Sequence, residues 1–225
     1  ANKEKTNFFI NIAHETKTPL TLIENYLNSY ISKINIKSNE LHIIKENIDM
    51  LKRIMINFMD LEKLKKGHFI YNNNQVISLS NFIKKKIEIV SKTASLKNLT
   101  LNYKIEESIF ISIDPYAIDR ILNNLFDNAI KYNKEKGEIN VELYRTGNDV
   151  KLIIHDTGIG MSRDKIEHIF KPYYQMNHYK RNIEGLGMGL YIVKEIIDSI
   201  DGQIFVESIL NNYSQFTIVF KNYKN

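Results

Sequence analysis

The first part of the chain places apolar side chains at alternating steps of three and four residues. This spacing runs through residues 8–34 and resumes from Leu41 to Phe58, after a short polar break in which Ser38 can cap a helix. Such a seam is typical of helices that pack along one stripe, so the pattern predicts an antiparallel helical hairpin. One hairpin cannot bury both of its apolar faces. We therefore expect two copies to pair into a four-helix bundle, which makes the protein a homodimer.

The pattern changes after Gly67, which is placed to end the second helix. From there, short alternating runs typical of strands are mixed with helical stretches, and Ser80 and the pair Asp114-Pro115 are helix-start signals. Strands are predicted at residues 68–71, 76–79, 99–105, 110–113, 138–145, 150–155, 203–207 and 215–221, and helices at 80–97, from 115, from about 162 and at 187–200. This order predicts an α+β two-layer sandwich, and hence two domains, residues 1–66 and residues 67–225.

Composition narrows the class of protein without identifying it. The chain is 43% hydrophobic and 25% charged, as in soluble globular proteins, and has no apolar run near the roughly 18 residues that a membrane helix needs. We therefore expect any membrane anchor to lie outside this chain. The net charge of +5 is modest and the densest basic run, Lys84 to Lys86, lies in a helical stretch, so we predict a solvated face and no direct nucleic-acid contact. The absence of cysteine excludes disulfides, cysteine-based zinc sites and thiol catalysis.

Three glycines, Gly185, Gly187 and Gly189, alternate in the stretch GLGMGL, where a loop enters a helix. Glycine permits close approach of the backbone, and a helix N-terminus offers unpaired amides to phosphate. The stretch differs from a Walker A motif, because no Lys-Ser/Thr pair follows it, and it lacks the strand–turn–helix context of a dinucleotide fingerprint. Taken alone, it fits a phosphate-binding loop and a flexible hinge equally well.

A carboxylate followed by two glycines ends the apolar strand at residues 150–155. In HDTGIGM, Asp156 lies on a turn with Gly158 and Gly160 beyond it, so the backbone is free on the far side. The same residues fit an ordinary Asx-type turn between a strand and a helix, and the motif by itself slightly favours that structural role.

The helix that begins at Pro115 carries two asparagines four residues apart, Asn124 and Asn128, which share a helical face with Lys131 and Tyr132 close by. Asparagine is a poor helix former, so two of them on a helix with an otherwise apolar inner face require an explanation. An amide oxygen is a suitable ligand for Mg²⁺, which also takes phosphate oxygens and waters. The alternative is a solvated polar stripe in a chain that is rich in asparagine.

Four stretches in this order, NNLFDNAIKY, DTGIGM, IFKPYYQ and GLGMGLYIVKEI, resemble the ATP-binding domain of sensor histidine kinases. That domain has a Bergerat-type fold, which it shares with type II topoisomerases, Hsp90-like chaperones and MutL-like repair proteins. The resemblance implies ATP as the cofactor, with Asp156 holding the adenine amino group and Asn128 holding Mg²⁺. It further implies that Phe170 helps to position a lid loop at about residues 171–184. The other residues implied to line the nucleotide site are Asn124, Lys131, Tyr132, Gly158, Gly160, Gly185, Gly187 and Gly189.

The stretch AHETKTPLTLI, in the first predicted helix, resembles the phospho-acceptor box of the same kinases and precedes the ATP domain as it does in them. The resemblance implies that His14 receives the γ-phosphoryl group, that Glu15 is its general base, and that Thr18 helps to place a water for the reverse reaction. The chemistry is reasonable, because an unperturbed histidine, with a pKa of about 6.5, keeps a free lone pair at physiological pH. An adjacent carboxylate can take the proton from its other nitrogen.

These residues favour the catalytic core of an ATP-dependent protein-histidine kinase that passes its phosphoryl group to an aspartate of a response-regulator receiver domain and also catalyses the reverse phosphatase reaction. Two alternatives stay open: another Bergerat-fold ATPase acting as a conformational clamp, and a non-catalytic dimerisation and signalling scaffold. We expect the chain to be cytoplasmic, by itself or as the cytoplasmic portion of a membrane-anchored sensor. The sequence departs from the family pattern at Thr16, at residues 200–204 and near Ser214, where a threonine is common.

Overall fold

The computed structural model describes residues 20–30, 41, 43–45, 47–49, 51–52, 55–57, 59, 71, 73–172, 174 and 187–221. The chain divides into two compact units, one made of Ala1–Ile70 and Asn177–Met188, the other of Tyr71–Met176 and Gly189–Asn225. The domain limits expected from the sequence, residues 1–66 and 67–225, stay a prediction.

In the N-terminal part of the first unit, residues 20–30 are helical, and so is every described residue between 41 and 59. An ion pair between Lys52 Nζ and the carboxylate of Glu24 links the two stretches. Seven large apolar side chains are 46–74% exposed in a single copy of the chain: Leu22, Ile23, Tyr26, Tyr30, Ile43, Ile44 and Leu51. The helical hairpin and its pairing in a dimer stay predictions.

Within the described residues, the second unit contains a two-stranded and a five-stranded sheet. The strands are β1 (Val76–Ser78), β2 (Thr100–Ile105), β3 (Phe110–Ser112), β4 (Glu138–Thr146), β5 (Asp149–Asp156), β6 (Gln203–Ile209) and β7 (Tyr213–Phe220). β1 pairs with β3, and the larger sheet has the order β2-β4-β5-β7-β6, in which only the β2–β4 pair is parallel. β5 is therefore the central strand of the larger sheet.

The described helices of this unit are α1 (Leu79–Leu96), α2 (Pro115–Lys131), α3 (Arg163–Ile166) and α4 (Gly189–Ser199). α1 packs against β2, α2 against β5 and α4 against β6, and α2 also contacts α4. α2 begins at the predicted signal, because the Asp114 carboxylate accepts the N–H of Tyr116 at 2.8 Å and Pro115 occupies the first helical position. The predicted α+β fold is confirmed for this unit, with a mixed sheet.

Alternation along β4 and β5 places the core on one face of the larger sheet. The inward residues of these strands are buried: Ile139, Val141, Leu143, Val150, Leu152 and Ile154. They meet the apolar stripe of α2, whose buried members include Ile118, Ile121, Leu122 and Leu125. Truncating one such side chain to alanine typically costs about 2–5 kcal/mol. This shared layer fixes α2, which carries Asn124 and Asn128, over the central strand, which ends in Asp156.

The structure corrects the predicted start of α1. The cap is Ser78 instead of Ser80, since Ser78 Oγ accepts the N–H of Asn81. Ser80 is fully buried, and its Oγ accepts the N–H of Ile109 at 3.0 Å and donates to the carbonyl of Glu106 at 2.7 Å. The Ser80 hydroxyl faces the β2–β3 connection, so it satisfies backbone groups there and not at the helix terminus.

The remaining differences concern the ends of elements. α4 begins at Gly189 instead of residue 187, because Gly187 has a φ of +67°, which a right-handed helix does not accommodate. β7 begins at Tyr213, two residues before the predicted Gln215. Of the strand predicted at 68–71, residues 68–70 lie outside the described residues and Tyr71 has no strand structure. In the described part of the chain, no helix combines the length and apolarity needed to cross a membrane.

Candidate nucleotide-binding site

Asp156, the last residue of the central strand, is a carboxylate on the helix-facing side of the sheet and is only 4% exposed. The backbone N–H of Gly158 donates to Asp156 Oδ1 at 2.9 Å. Burial raises the pKa of Asp156 to about 6, and the hydrogen bond from Gly158 offsets part of that rise. The carboxylate is therefore mainly ionised at neutral pH, a buried acceptor suited to a ligand that donates a hydrogen bond.

The loop after Asp156 is tied to the C-terminal end of α2. The N–H of Ile159 donates to the carbonyl of Tyr132 at 3.0 Å. A Cβ at Gly158 would lie 2.3 Å from that same carbonyl oxygen, so only glycine permits the approach. Tyr132 is the C-cap of α2, and burial raises the pKa of its phenol. Since Tyr132 follows Asn128 by four residues, the loop lies beside the helix face that carries the asparagines.

The same loop is tied on its other side to the β6–β7 turn. Gly160 has a φ of +59°, and a Cβ there would lie 1.9 Å from the carbonyl oxygen of Ile209. The N–H of Asn211 donates to the carbonyl of Ile159 at 2.6 Å. The two glycines of DTGIGM thus mark two close backbone approaches, one to α2 and one to the β6–β7 turn.

Asn124 connects α2 to the first turn of α4. Its Nδ2 donates to the carbonyl of Arg120 at 2.8 Å, and its Oδ1 is the atom that a Cβ at Gly189 would approach to 2.5 Å. The amide of Asn128 is partly buried on the same face, and no described residue is hydrogen-bonded to it. Lys131 Nζ lies 5.2 Å from the centroid of the Tyr132 ring, which places a cation at the end of this face.

The structure brings together five of the predicted site residues through α2, β5 and α4: Asn124, Tyr132, Asp156, Gly158 and Gly189. Phe170 follows α3 and is half-buried. The roles predicted for His14, Glu15, Thr18 and Gly185 fall outside the described residues. The described part of the chain holds no group of three or more His, Cys, Asp or Glu residues able to bind a metal. The metal ligand predicted from the sequence is Asn128.

Sequence reasoning did not assign Ser208 and Ser214 to the site. Ser214 on β7 lies directly opposite Asp156, and Ser208 on β6 lies directly opposite Ser214. All three side chains therefore lie in one row on the helix-facing side of the sheet. Alternation could have assigned each serine to that face, but only the register of β5, β7 and β6 aligns them.

Known proteins resemble this chain in sequence and in fold. Residues 113–224 match the family described as "Histidine kinase-, DNA gyrase B-, and HSP90-like ATPase". The chain is 32% identical to the sensor histidine kinase YvrG of Bacillus subtilis over 216 residues, which cover 93% of this chain and 37% of YvrG. The chain thus spans less than half the length of the curated relatives that it matches.

Two solved structures show the same fold. Histidine kinase AdeS of Acinetobacter baumannii superposes with a TM-score of 0.65 at 20% identity, over 94% of this chain and 98% of the AdeS chain. Full-length ShkA, crystallised in complex with AMPPNP, superposes with a TM-score of 0.74 at 20% identity, over 97% of this chain and 46% of ShkA. At these identities the likeness concerns the fold alone.

Through residues 113–224, the chain belongs to the histidine kinase-, DNA gyrase B- and HSP90-like ATPase family. Its second unit is an ATPase domain of the histidine kinase type with a Bergerat fold. The predictions of that fold and of an ATP-binding family are confirmed.

Proposed function

We propose that this chain is the catalytic core of an ATP-dependent protein-histidine kinase. It phosphorylates His14, passes the phosphoryl group to an aspartate of a response-regulator receiver domain, and catalyses the reverse phosphatase reaction. The observation that carries the proposal is the buried carboxylate of Asp156, which Gly158 holds at the end of β5 beside α2. The alignment with a relative named a sensor histidine kinase covers 93% of the chain and so extends beyond the ATPase domain.

In this proposal, Asp156 binds the exocyclic amino group of adenine. A buried carboxylate is costly unless hydrogen-bond donors satisfy its oxygens. The N–H of Gly158 is one such donor, and the adenine amino group would be a second. The N-terminus of α4 and the glycines before it, Gly185 and Gly187, border the phosphates, which the unpaired amides of a helix start favour. ShkA, a fold relative, was crystallised with the ATP analogue AMPPNP.

Mg²⁺ is the metal that fits these residues. An amide oxygen is a hard ligand, and Mg²⁺ commonly combines one or two protein ligands with phosphate oxygens and waters. Asn128 would hold the ion, since its amide lies on the site face of α2 without a described hydrogen-bond partner. When bound, Mg²⁺ neutralises charge on the transferring phosphoryl group.

The proposed transfer is a substitution at the γ-phosphorus of ATP. The lone pair of a neutral His14 nitrogen forms the N–P bond as the bond to the ADP oxygen breaks, and Glu15 takes the proton from the other ring nitrogen. An oxygen of the receiver aspartate then forms a bond to this phosphorus as the N–P bond to His14 breaks. In the reverse reaction, Thr18 places the water that attacks the aspartyl phosphate.

We propose that the first unit forms a homodimer. Seven of its large apolar side chains are exposed, among them Tyr26 at 74%, and exposed apolar surface of this kind is typical of an interaction site. A second copy, in a four-helix bundle, would cover this surface. We further propose that the chain acts in the cytoplasm, by itself or as the cytoplasmic portion of a membrane-anchored sensor, without direct nucleic-acid contact.

Autophosphorylation tests the proposal. The purified chain incubated with Mg-ATP should acquire acid-labile, base-stable phosphate, and a purified cognate receiver domain should remove it. His14→Gln should abolish the label, whereas the matched control His42→Gln should keep it. Label that persists in His14→Gln would contradict the assignment. Nucleotide binding by the wild type without any label would instead favour a scaffold or a conformational clamp.

A further inference from the structure

The loop that carries Asp156 depends on a residue outside every motif discussed so far. We propose that Ser208 is a positioning residue for nucleotide binding. Its hydroxyl fixes the loop from Asp156 to Met161, so that Asp156 meets the amino group of adenine. This inference rests on the nucleotide site proposed above, but it concerns a residue that does not itself touch the nucleotide.

The Ser208 hydroxyl makes two short hydrogen bonds to the backbone, and it also lies 3.3 Å from Ser214 Oγ. The N–H of Met161 donates to Ser208 Oγ at 2.8 Å, and Ser208 Oγ donates to the carbonyl of Tyr213 at 2.7 Å. A hydroxyl that accepts one bond and donates another links two chain segments through a single atom. Here it joins the end of the loop from Asp156 to Met161, which we call the nucleotide loop, to the β6–β7 hairpin.

The register of the sheet explains why Ser208 acts through the loop. Asp156, Ser214 and Ser208 occupy adjacent strands in that order. With a strand spacing of about 4.8 Å, the backbone of Ser208 is roughly 10 Å from that of Asp156. A ligand atom bonded to Asp156 is therefore out of reach of the Ser208 hydroxyl, while Met161 is within hydrogen-bond distance of it.

Few other contacts hold the nucleotide loop to the β6–β7 hairpin. Within the described residues, the carbonyl of Ile159 accepts the N–H of Asn211, and Gly160 passes against the carbonyl of Ile209 in a left-handed conformation. Without the Ser208 hydroxyl, the N–H of Met161 loses its acceptor directly after that left-handed residue. A rotation of the loop there would move Gly158 and, through its bond to Oδ1, the Asp156 carboxylate.

Ser80 offers a matched control. Its hydroxyl also accepts a backbone N–H, from Ile109, and donates to a backbone carbonyl, that of Glu106, at nearly the same distances. It belongs to the same unit but joins α1 to the β2–β3 connection. Ser80→Ala therefore removes the same two kinds of backbone hydrogen bond without affecting the nucleotide loop.

The test measures the affinity of the full chain for ATP and for inosine triphosphate, which lacks the amino group. The wild type should prefer ATP. Ser208→Ala and the isosteric Ser208→Cys should weaken ATP binding about tenfold, the equivalent of one lost hydrogen bond, and should lower the ATP preference with it. Ser208→Thr keeps the hydroxyl, so its affinity for ATP and its preference for ATP should match those of the wild type. Ser80→Ala should leave the preference unchanged, and only Ser208→Ala and Ser208→Cys should speed hydrogen exchange at Met161.

The outcomes separate this inference from the proposed function. A wild type that binds neither nucleotide would overturn the proposed site itself. A wild type that prefers ATP, with a folded Ser208→Ala or Ser208→Cys that prefers it equally, would overturn the role of Ser208 alone. An equal loss of preference in Ser80→Ala would also overturn it, because general destabilisation would then explain the effect. If Ser208→Ala does not fold, Ser208→Cys decides.

Discussion

Gly189 and Asn124 meet where α4 begins, since a Cβ on Gly189 would lie 2.5 Å from Asn124 Oδ1. Asn124 is not free to turn away, because its Nδ2 donates to the carbonyl of Arg120 at 2.8 Å. A glycine on one helix and an amide on another thus set how closely α4 approaches α2. The contact joins two motifs that are distant in the sequence.

This contact predicts that Gly189→Ala has opposite effects in two backgrounds. In the wild type, the added methyl group collides with Asn124 and should lower the free energy of unfolding. In Asn124→Ala the colliding atom is absent, and the better helix propensity of alanine should raise that free energy by up to about 1 kcal/mol. Denaturant unfolding of the four proteins in this double-mutant cycle measures the change of sign. The same effect in both backgrounds would contradict the contact.

Asp156→Asn should stabilise the domain at neutral pH while abolishing ATP binding. The asparagine oxygen can still accept the N–H of Gly158, but the buried charge is gone. A pKa raised from 3.8 to about 6 corresponds, at about 1.4 kcal/mol per unit, to a cost of about 3 kcal/mol for ionising the folded protein. We therefore expect a gain of up to about 3 kcal/mol at pH 7.5, measured by urea unfolding.

The pH dependence of that gain has a definite sign. Because the pKa is raised in the folded state, the folded protein holds a proton that the unfolded chain releases between pH 3.8 and about 6. The stability contributed by Asp156 thus falls as pH rises through this window. The advantage of Asp156→Asn should be small near pH 4 and complete above about pH 6. An advantage that does not vary with pH would contradict the raised pKa.

Gly160→Ala should be far more damaging than Gly147→Ala. Both glycines have a φ near +60°, so both substitutions carry the same left-handed backbone cost of about 1–2 kcal/mol. A Cβ at Gly147 meets nothing within 4 Å, whereas one at Gly160 lies 1.9 Å from a backbone oxygen. We expect Gly160→Ala to lose several kcal/mol more in chemical unfolding and to lose ATP binding. Equal losses would mean that the approach to Ile209 is not required.

Asn128→Ala should remove the Mg²⁺ dependence of ATP binding rather than binding itself. Wild-type affinity for ATP should rise when Mg²⁺ is added, and the variant should show little rise yet match the wild type in EDTA. Asn123→Ala is the control, because the Asn123 amide donates to Asp119 Oδ2 at 2.7 Å and is engaged elsewhere on α2. A variant that keeps the full Mg²⁺ effect would exclude Asn128 as the ligand.

Tyr26→Glu should convert the proposed dimer into a monomer, because a buried, unpaired carboxylate in the interface is costly. Tyr103→Glu, at another exposed tyrosine but on β2 of the ATPase domain, should leave the dimer intact. Sedimentation velocity distinguishes the two states. Both variants should bind ATP like the wild type, and a dimeric Tyr26→Glu would place the interface elsewhere.

Local signals predicted most of the ATPase domain. Alternation located β4 and β5 to within a residue at each end, and Asp114-Pro115 fixed the start of α2, because both patterns act over a few residues. The glycines of DTGIGM and GLGMGL also stood out by composition. The atoms that these glycines approach depend on tertiary packing, as the contact of Gly158 with the carbonyl of Tyr132 illustrates. Local sequence patterns do not predict such contacts.

Two serines mark the limit of sequence reasoning. Ser80 is of a residue type that often caps helices, but it is buried against the β2–β3 connection, because tertiary contacts override a local capping preference. Ser208 is one polar residue in an alternating strand, and its contact with Met161 joins residues distant in sequence. Such pairings arise from strand order and register, which a single sequence does not encode locally.

The order of strands has a consequence for biosynthesis. β7 is made after β6 but lies between β5 and β6 in the sheet, so β6 joins the sheet only when β7 has been added. The nucleotide loop is anchored to the turn between those two strands. A growing chain on the ribosome therefore carries Asp156 long before it can hold that loop in place. The turn that anchors this loop is complete only when β7 has been synthesised, and so is the proposed nucleotide site.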